Sequence, residues 1–184
     1  PTLLSLQGSD CRIAAVGRGN ADGSYSCHNR RNGNLIWQTQ VSERNEAGYF
    51  GISTTASIKG ERLYIYSNND WLYQSGQQPA AHPISVACLD IHTGSILWRN
   101  TKQSAASGSA TLANNILLLG DLDGTLNGYN AYTGDILYSD TVENASILSD
   151  ITAAGRYVFF GAGPSTITTT ANISGLYAYA LYEK

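Results

Sequence analysis

The chain has no methionine, only three cysteines, four prolines, three histidines and three phenylalanines, and only 14% of its 184 residues are charged. Each scarcity narrows the functions open to it. Three cysteines cannot build the dense disulfide framework of a small secreted domain. His28, His82 and His92 are dispersed, whereas a zinc centre needs three or four converging ligands. Eleven Lys and Arg face fourteen Asp and Glu, for a net charge of −3, and Arg30-Arg31 is the one adjacent basic pair. A nucleic-acid groove needs clustered cations, so a nucleic-acid partner is excluded. No apolar run approaches the ~18 residues of a membrane span. No Gly-x-Ser-x-Gly, phosphate-loop or dinucleotide fingerprint occurs, and Gly17-Arg18-Gly19 leads into no helix pattern. There is no signal peptide and the first residue is Pro1, which points to a processed chain or a piece of a longer polypeptide.

What is present is glycine (19), tyrosine (12) and a 42% apolar composition, which fit a β protein with many turns. One unit recurs. Asp90-Ile91-His92-Thr93-Gly94-Ser95-Ile96-Leu97-Trp98 returns 40 residues on as Asn130-Ala131-Tyr132-Thr133-Gly134-Asp135-Ile136-Leu137-Tyr138. It stands 61 residues earlier as Asn29-Arg30-Arg31-Asn32-Gly33-Asn34-Leu35-Ile36-Trp37. A β-rich unit of about 40 residues with a fixed turn reads as a propeller blade. Short apolar runs precede each turn: Arg12 to Gly17, Arg62 to Ser67, Asn115 to Gly120 and, in a fourth version, Arg156 to Gly161. Asp22-Gly23 and Asp123-Gly124 mark tight hairpins.

The expected architecture is all-β, a single segment of about four four-stranded antiparallel blades, near 1–41, 52–101, 107–142 and 147–184. The innermost strands of blades two to four are placed at Ser53 to Ile58, Gly108 to Leu112 and Leu148 to Ala153. Blade four lacks an outer strand: Ala180 takes the place of Asp90, and Lys184 falls where the turn glycine belongs. An uncovered strand edge is a template for pairing.

The spacing Asp90-x-x-Thr93-Gly94-x-x-x-Trp98 resembles the tryptophan-docking repeat of the pyrroloquinoline quinone (PQQ)-type propellers. That family includes quinoprotein alcohol dehydrogenases, polymer-oxidising dehydrogenases and the outer-membrane assembly lipoprotein of Gram-negative bacteria. The other copies have drifted, with Asn29 and Asn130 for the Asp, Asn32 for the Thr and Tyr138 for the Trp. The resemblance implies that Trp37, Trp98 and Tyr138 staple neighbouring blades, held by Asn29, Gly33, Asp90, Thr93, Gly94, Asn130, Thr133 and Gly134. It also implies seven or eight blades, so this chain is read as half of an eight-bladed ring or a fragment. Two copies would supply eight blades. A secreted, extracellular or periplasmic setting follows, with oligomers expected.

The resemblance allows PQQ and calcium as cofactors, yet the family's adjacent cysteine pair is missing and no Asp stands in a catalytic context. Asp121-x-Asp123-Gly124 faintly resembles a calcium loop but lacks its downstream ligands. No catalytic or metal residue is identified. Ligand contacts are instead expected from long loops: Trp71, Tyr73, Gln74 and His82 in one, Tyr49 and Phe50 in another, with a small molecule, a sugar or a protein as the binder. Cys11 and Cys27 could meet across their hairpin as a disulfide, leaving Cys88 over. Asn144 and Asn172 begin glycosylation acceptor triplets. The leading functional expectation is a non-enzymatic segment that binds a ligand or partner and assembles with a second propeller half. The alternatives are a fragment of a PQQ- and calcium-dependent dehydrogenase and a sugar-binding lectin.

Overall fold

A computed structural model describes residues 2–7, 12–42, 51–68, 84–102, 106, 108–164 and 174–180. All its regular structure is antiparallel strand, and no helix occurs among the described residues. The chain divides into two compact units, Pro1–Gln103 and Ser104–Lys184, each holding two propeller blades.

In the first unit, blade one orders β1 (Thr2–Gln7), β2 (Arg12–Gly19), β3 (Ser24–Asn29) and β4 (Leu35–Gln40) side by side. Blade two does the same with β5 (Ser57–Lys59), β6 (Arg62–Ser67), β7 (Ile84–Asp90) and β8 (Ile96–Lys102). In the second unit, blade three is β9 (Thr111–Ala113), β10 (Ile116–Gly120), β11 (Thr125–Asn130) and β12 (Ile136–Thr141). Blade four pairs β15 (Tyr157–Gly163) on one edge with both β13 (Ser146–Ile147) and β14 (Thr152–Ala154), and on the other with β16 (Gly175–Ala180). No strand follows β16 among the described residues.

The ladders align the repeats more exactly than composition does. Arg62 lies opposite Asp90, Ile116 opposite Asn130, Tyr157 opposite Ala180, and Ala15, not Arg12, opposite Asn29. The match of Arg12 to Arg62 is therefore three residues out of register. Apolar runs mark a buried strand but do not fix its pairing; the turn does.

The inner strands differ from those expected: β5 starts at Ser57 and β9 at Thr111, and ahead of blades two and four residues bond to the preceding blade. The Ile52 amide donates to the Asn20 carbonyl at 3.0 Å, and Ile147 to Asp121 at 2.9 Å. In blade four the inner strand breaks at 148–151. There the Ser149 hydroxyl takes the Gly161 amide at 2.7 Å, and the Asp150 carboxylate takes the Ser109 amide of blade three at 2.6 Å.

Strand alternation gives each blade a face toward the blade after it and a face toward the blade before it. Between blades one and two, Ala15, Tyr25, Cys27 and Trp37 meet Leu63, Ile65, Ala87, Leu89 and Ile91. Between blades three and four, Leu118 and Leu126 meet Val158 and Phe160, with Tyr177 and Tyr179 packed alongside. Phe160 stacks on Tyr177 at 5.5 Å and meets Tyr179 edge-on at 5.2 Å, the geometries that ring quadrupoles favour.

Candidate functional site

Three turns carry the repeat, and each is built the same way. In blade two the Asp90 carboxylate accepts the amides of His92 (3.0 Å) and Thr93 (2.8 Å) and the Thr93 hydroxyl (2.9 Å). The Gly94 amide closes on the Asp90 carbonyl at 2.9 Å. Asn130 receives Tyr132 and Thr133, and Asn29 receives Arg31, through a side-chain oxygen in the same place. Asn32, which replaces the threonine, still accepts the amide two residues on, as Thr93 and Thr133 do. The drift in sequence therefore preserves the acceptor geometry. Gly33, Gly94 and Gly134 sit at φ of +75°, +73° and +83°, the left-handed region that closes the turn.

Burial raises the Asp90 carboxyl, but the hydrogen bonds from Thr93 and His92 and the charge of His92 outweigh it and hold the group below its ordinary value. Glu61 stands 3.6 Å from the His92 ring. These groups lock a turn.

Trp37 shows what the turn is for. Its indole N–H donates to the Ile91 carbonyl of the next blade at 3.1 Å, and its ring lies flat over Gly94. Thr39 donates to the Gly94 carbonyl at 2.6 Å. Any side chain at 94 would enter the indole, so turn and tryptophan form one staple across the seam. Trp98 is half-buried with its ring 6.2 Å from Tyr64. Tyr138 is 39% exposed, and its hydroxyl donates to Asp140 at 3.2 Å. Burial, the Asp140 carboxylate and nearby Tyr179 push its hydroxyl up to about 12. Burial and the Asp140 carboxylate raise the hydroxyl of Tyr179 in blade four as well. Thr39, Ile91, Asp140 and Tyr179 are seam residues that the sequence reading missed. For Thr39, Asp140 and Ile91 the available signal was a fixed offset from the staple aromatics and the turn; Tyr179 has no such marker.

The expected binding residues Trp71, Tyr73, Gln74, His82, Tyr49 and Phe50 lie outside the described residues, as does Asn172. Asn144 is exposed in a turn at φ +57°. Cys27 is a free, buried thiol whose cross-strand neighbours are Gly17 and Trp37; Cys11 lies outside the described residues. Burial pushes the Cys27 thiol up to about 11. Cys88 is likewise free and buried, with the Arg62 guanidinium 3.8 Å from its sulfur. Burial raises its thiol, and Arg62 pulls it part of the way back.

Asp121 is fully buried, but it is saturated: it accepts the amides of Asp123 (3.0 Å) and Thr125 (2.9 Å), with Asn127 at 3.5 Å. Its carbonyl anchors blade four. Among the described residues no three His, Cys, Asp or Glu side chains converge on a point. Among the described residues the donor set does not fit a calcium ion with PQQ.

Sequence and structure comparisons agree on one class. A family model described as outer membrane protein assembly factor BamB matches residues 21–175. The structure superposes on a quinohemoprotein alcohol dehydrogenase from Comamonas testosteroni with a TM-score of 0.70 at 15% identity, covering 99% of this chain and 38% of that one. BamB from Moraxella catarrhalis gives 0.57 at 16% identity, covering 88% and 45%. The computationally designed protein Ika4 gives 0.64 at 18% identity and covers 99% of both chains. The chain thus spans less than half the length of the two natural proteins. No curated protein sequence matches it.

Proposed function

The chain belongs to the family of the outer membrane protein assembly factor BamB, and from that premise we propose that it is a non-enzymatic propeller segment that works assembled with a second propeller half. One observation carries this reading. The third strands of blades one to three, β3, β7 and β11, are mostly buried under a fourth strand. Their counterpart β16 is exposed or half-buried along its whole length, with no fourth strand among the described residues. A sheet edge with unpaired amides and carbonyls is a pairing site by nature. The name of BamB, an assembly factor, is compatible with a scaffold role.

Within this reading the loops holding Trp71, Tyr73, Gln74, His82, Tyr49 and Phe50 contact the ligand or partner, and the setting is secreted or periplasmic. No helix among the described residues is long and apolar enough to cross a membrane. The test is the intact mass of the native assembly recovered from its source. A mass exceeding that of the 184-residue chain by about the same amount again supports the reading; a lone chain whose β16 is covered by its own residues overturns it. Dye reduction by an alcohol on adding PQQ and Ca2+ to that assembly would replace it with the dehydrogenase reading. A glycan array with Trp71→Ala as control tests whether the loop ligand is a sugar.

A further inference from the structure

We propose that the outgoing face of blade four docks a propeller blade of different sequence with an apolar incoming face, and that a second copy of this chain does not fit there. The inference rests on the assembly reading above and names the partner's chemistry. The chain itself shows what covers such a face. In blade three the outgoing residues Leu118 and Leu126 are buried by Val158, Phe160, Tyr177 and Tyr179 of blade four. The ladders identify their equivalents in blade four as Phe159 and Leu176, with Tyr157 in the place of Ile116. Leu126 is 2% exposed, whereas Leu176 is 79% exposed; Tyr157 and Ala178 are exposed as well. The Tyr157 and Phe159 rings lie 6.2 Å apart on this face. No charged side chain stands among Tyr157, Phe159, Leu176, Ala178 and Ala180.

The incoming faces of blades two and four are apolar. In blade two the cross-strand pairs are Leu63 with Leu89 and Ile65 with Ala87, all buried. The same pairs in blade one are Val16 with His28 and Arg18 with Ser26. The Ser26 hydroxyl donates to the Arg18 carbonyl at 3.4 Å and contacts the His28 ring at 3.1 Å. Arg18 is exposed. The incoming face of blade one is therefore more polar than those of blades two and four. Docked on blade four of another copy, it would bury a guanidinium and an imidazole against two rings and a leucine, with no carboxylate among the described residues of that face to meet them.

Sedimentation velocity on the full chain, across a wide concentration range, tests this. The unaltered chain and Leu176→Glu are expected to sediment alike, as monomers. The double variant Arg18→Ile/His28→Leu, which copies Ile65 and Leu89 into blade one, is expected to self-associate on the order of tenfold more tightly or better. Adding Leu176→Glu to it should restore the monomer. Self-association of the unaltered chain that Leu176→Glu abolishes would overturn the proposal while leaving the assembly reading in place. A double variant that keeps its β circular dichroism yet stays monomeric would also overturn it, and the native mass then decides the assembly reading separately. Should the double variant lose its fold, Arg18→Ile alone, at an exposed position, gives the same two outcomes.

Discussion

Replacing Gly94 by alanine separates two roles that the turn combines. A Cβ at 94 would stand 2.5 Å from Cε3 and 2.7 Å from Cδ2 of Trp37, and the backbone there is at φ +73°. Gly33 supplies the control: it has the same turn and φ +75°, with nothing within 4 Å of a built Cβ. Gly33→Ala therefore pays only for a left-handed alanine, about 1–2 kcal/mol. Gly94→Ala adds a clash with a buried ring held by its hydrogen bond to the Ile91 carbonyl, about 1–3 kcal/mol more. The expected totals, from urea unfolding midpoints at constant m, are about 1–2 kcal/mol for Gly33→Ala and about 2–5 kcal/mol for Gly94→Ala. On a Trp37→Ala background the indole is gone and only the Thr39 hydroxyl, 2.7 Å from a built Cβ, still crowds the site, so the Gly94→Ala cost should fall toward that of Gly33→Ala. Equal costs for the two glycines in the unaltered background would refute the staple.

Trp37→Phe keeps much of the apolar area but abandons the Ile91 carbonyl, and is expected to cost about 1–3 kcal/mol in the same unfolding assay. Asp90→Asn copies the residue found at 29 and 130 and should stay within about 1 kcal/mol of the parent at neutral pH, whereas Asp90→Ala removes three accepted hydrogen bonds and should cost about 1–2 kcal/mol. Because the folded carboxyl of Asp90 is held below its ordinary value, its contribution is full above the unfolded pKa of about 4 and is lost as pH falls through the folded one; acid titrations of stability should flatten in Asp90→Asn. The thiol of Cys27 moves the other way, from 9.0 to about 11, so its contribution is full below pH 9 and lost as pH rises toward 11. Native Cys27 should resist alkylation at pH 8 and react once urea unfolds the chain; equal rates would contradict its burial.

The blade count and the turn chemistry were legible because Asx, Thr and Gly act locally: Asp90, Asn130 and Asn29 bond amides two or three residues away, whatever the rest of the chain does. Register was less legible. Arg12 looks like Arg62, yet the turn at Asn29 through Gly33 sets the ladder and puts Ala15 in that place. The inner strands were misjudged in extent, since Ile52 and Ile147 spend their amides on the preceding blade, a non-local choice that no window of sequence records. The polar face of blade one was readable residue by residue, but Arg18 and His28 acquire meaning only when the ladder sets them beside Ile65 and Leu89. The loop aromatics Trp71 and Tyr73 lie outside the described residues.

In the proposed assembly another propeller half covers the open edge of β16. Amide hydrogen exchange of Gly175–Ala180 measures this directly, because one edge of the strand pairs with β15 and the other pairs with nothing among the described residues. In the isolated chain alternate amides of β16 should exchange fast, and in the native assembly all of them should slow to the rates of β11. Equal protection in the chain alone and in the assembly would show that no second half covers β16.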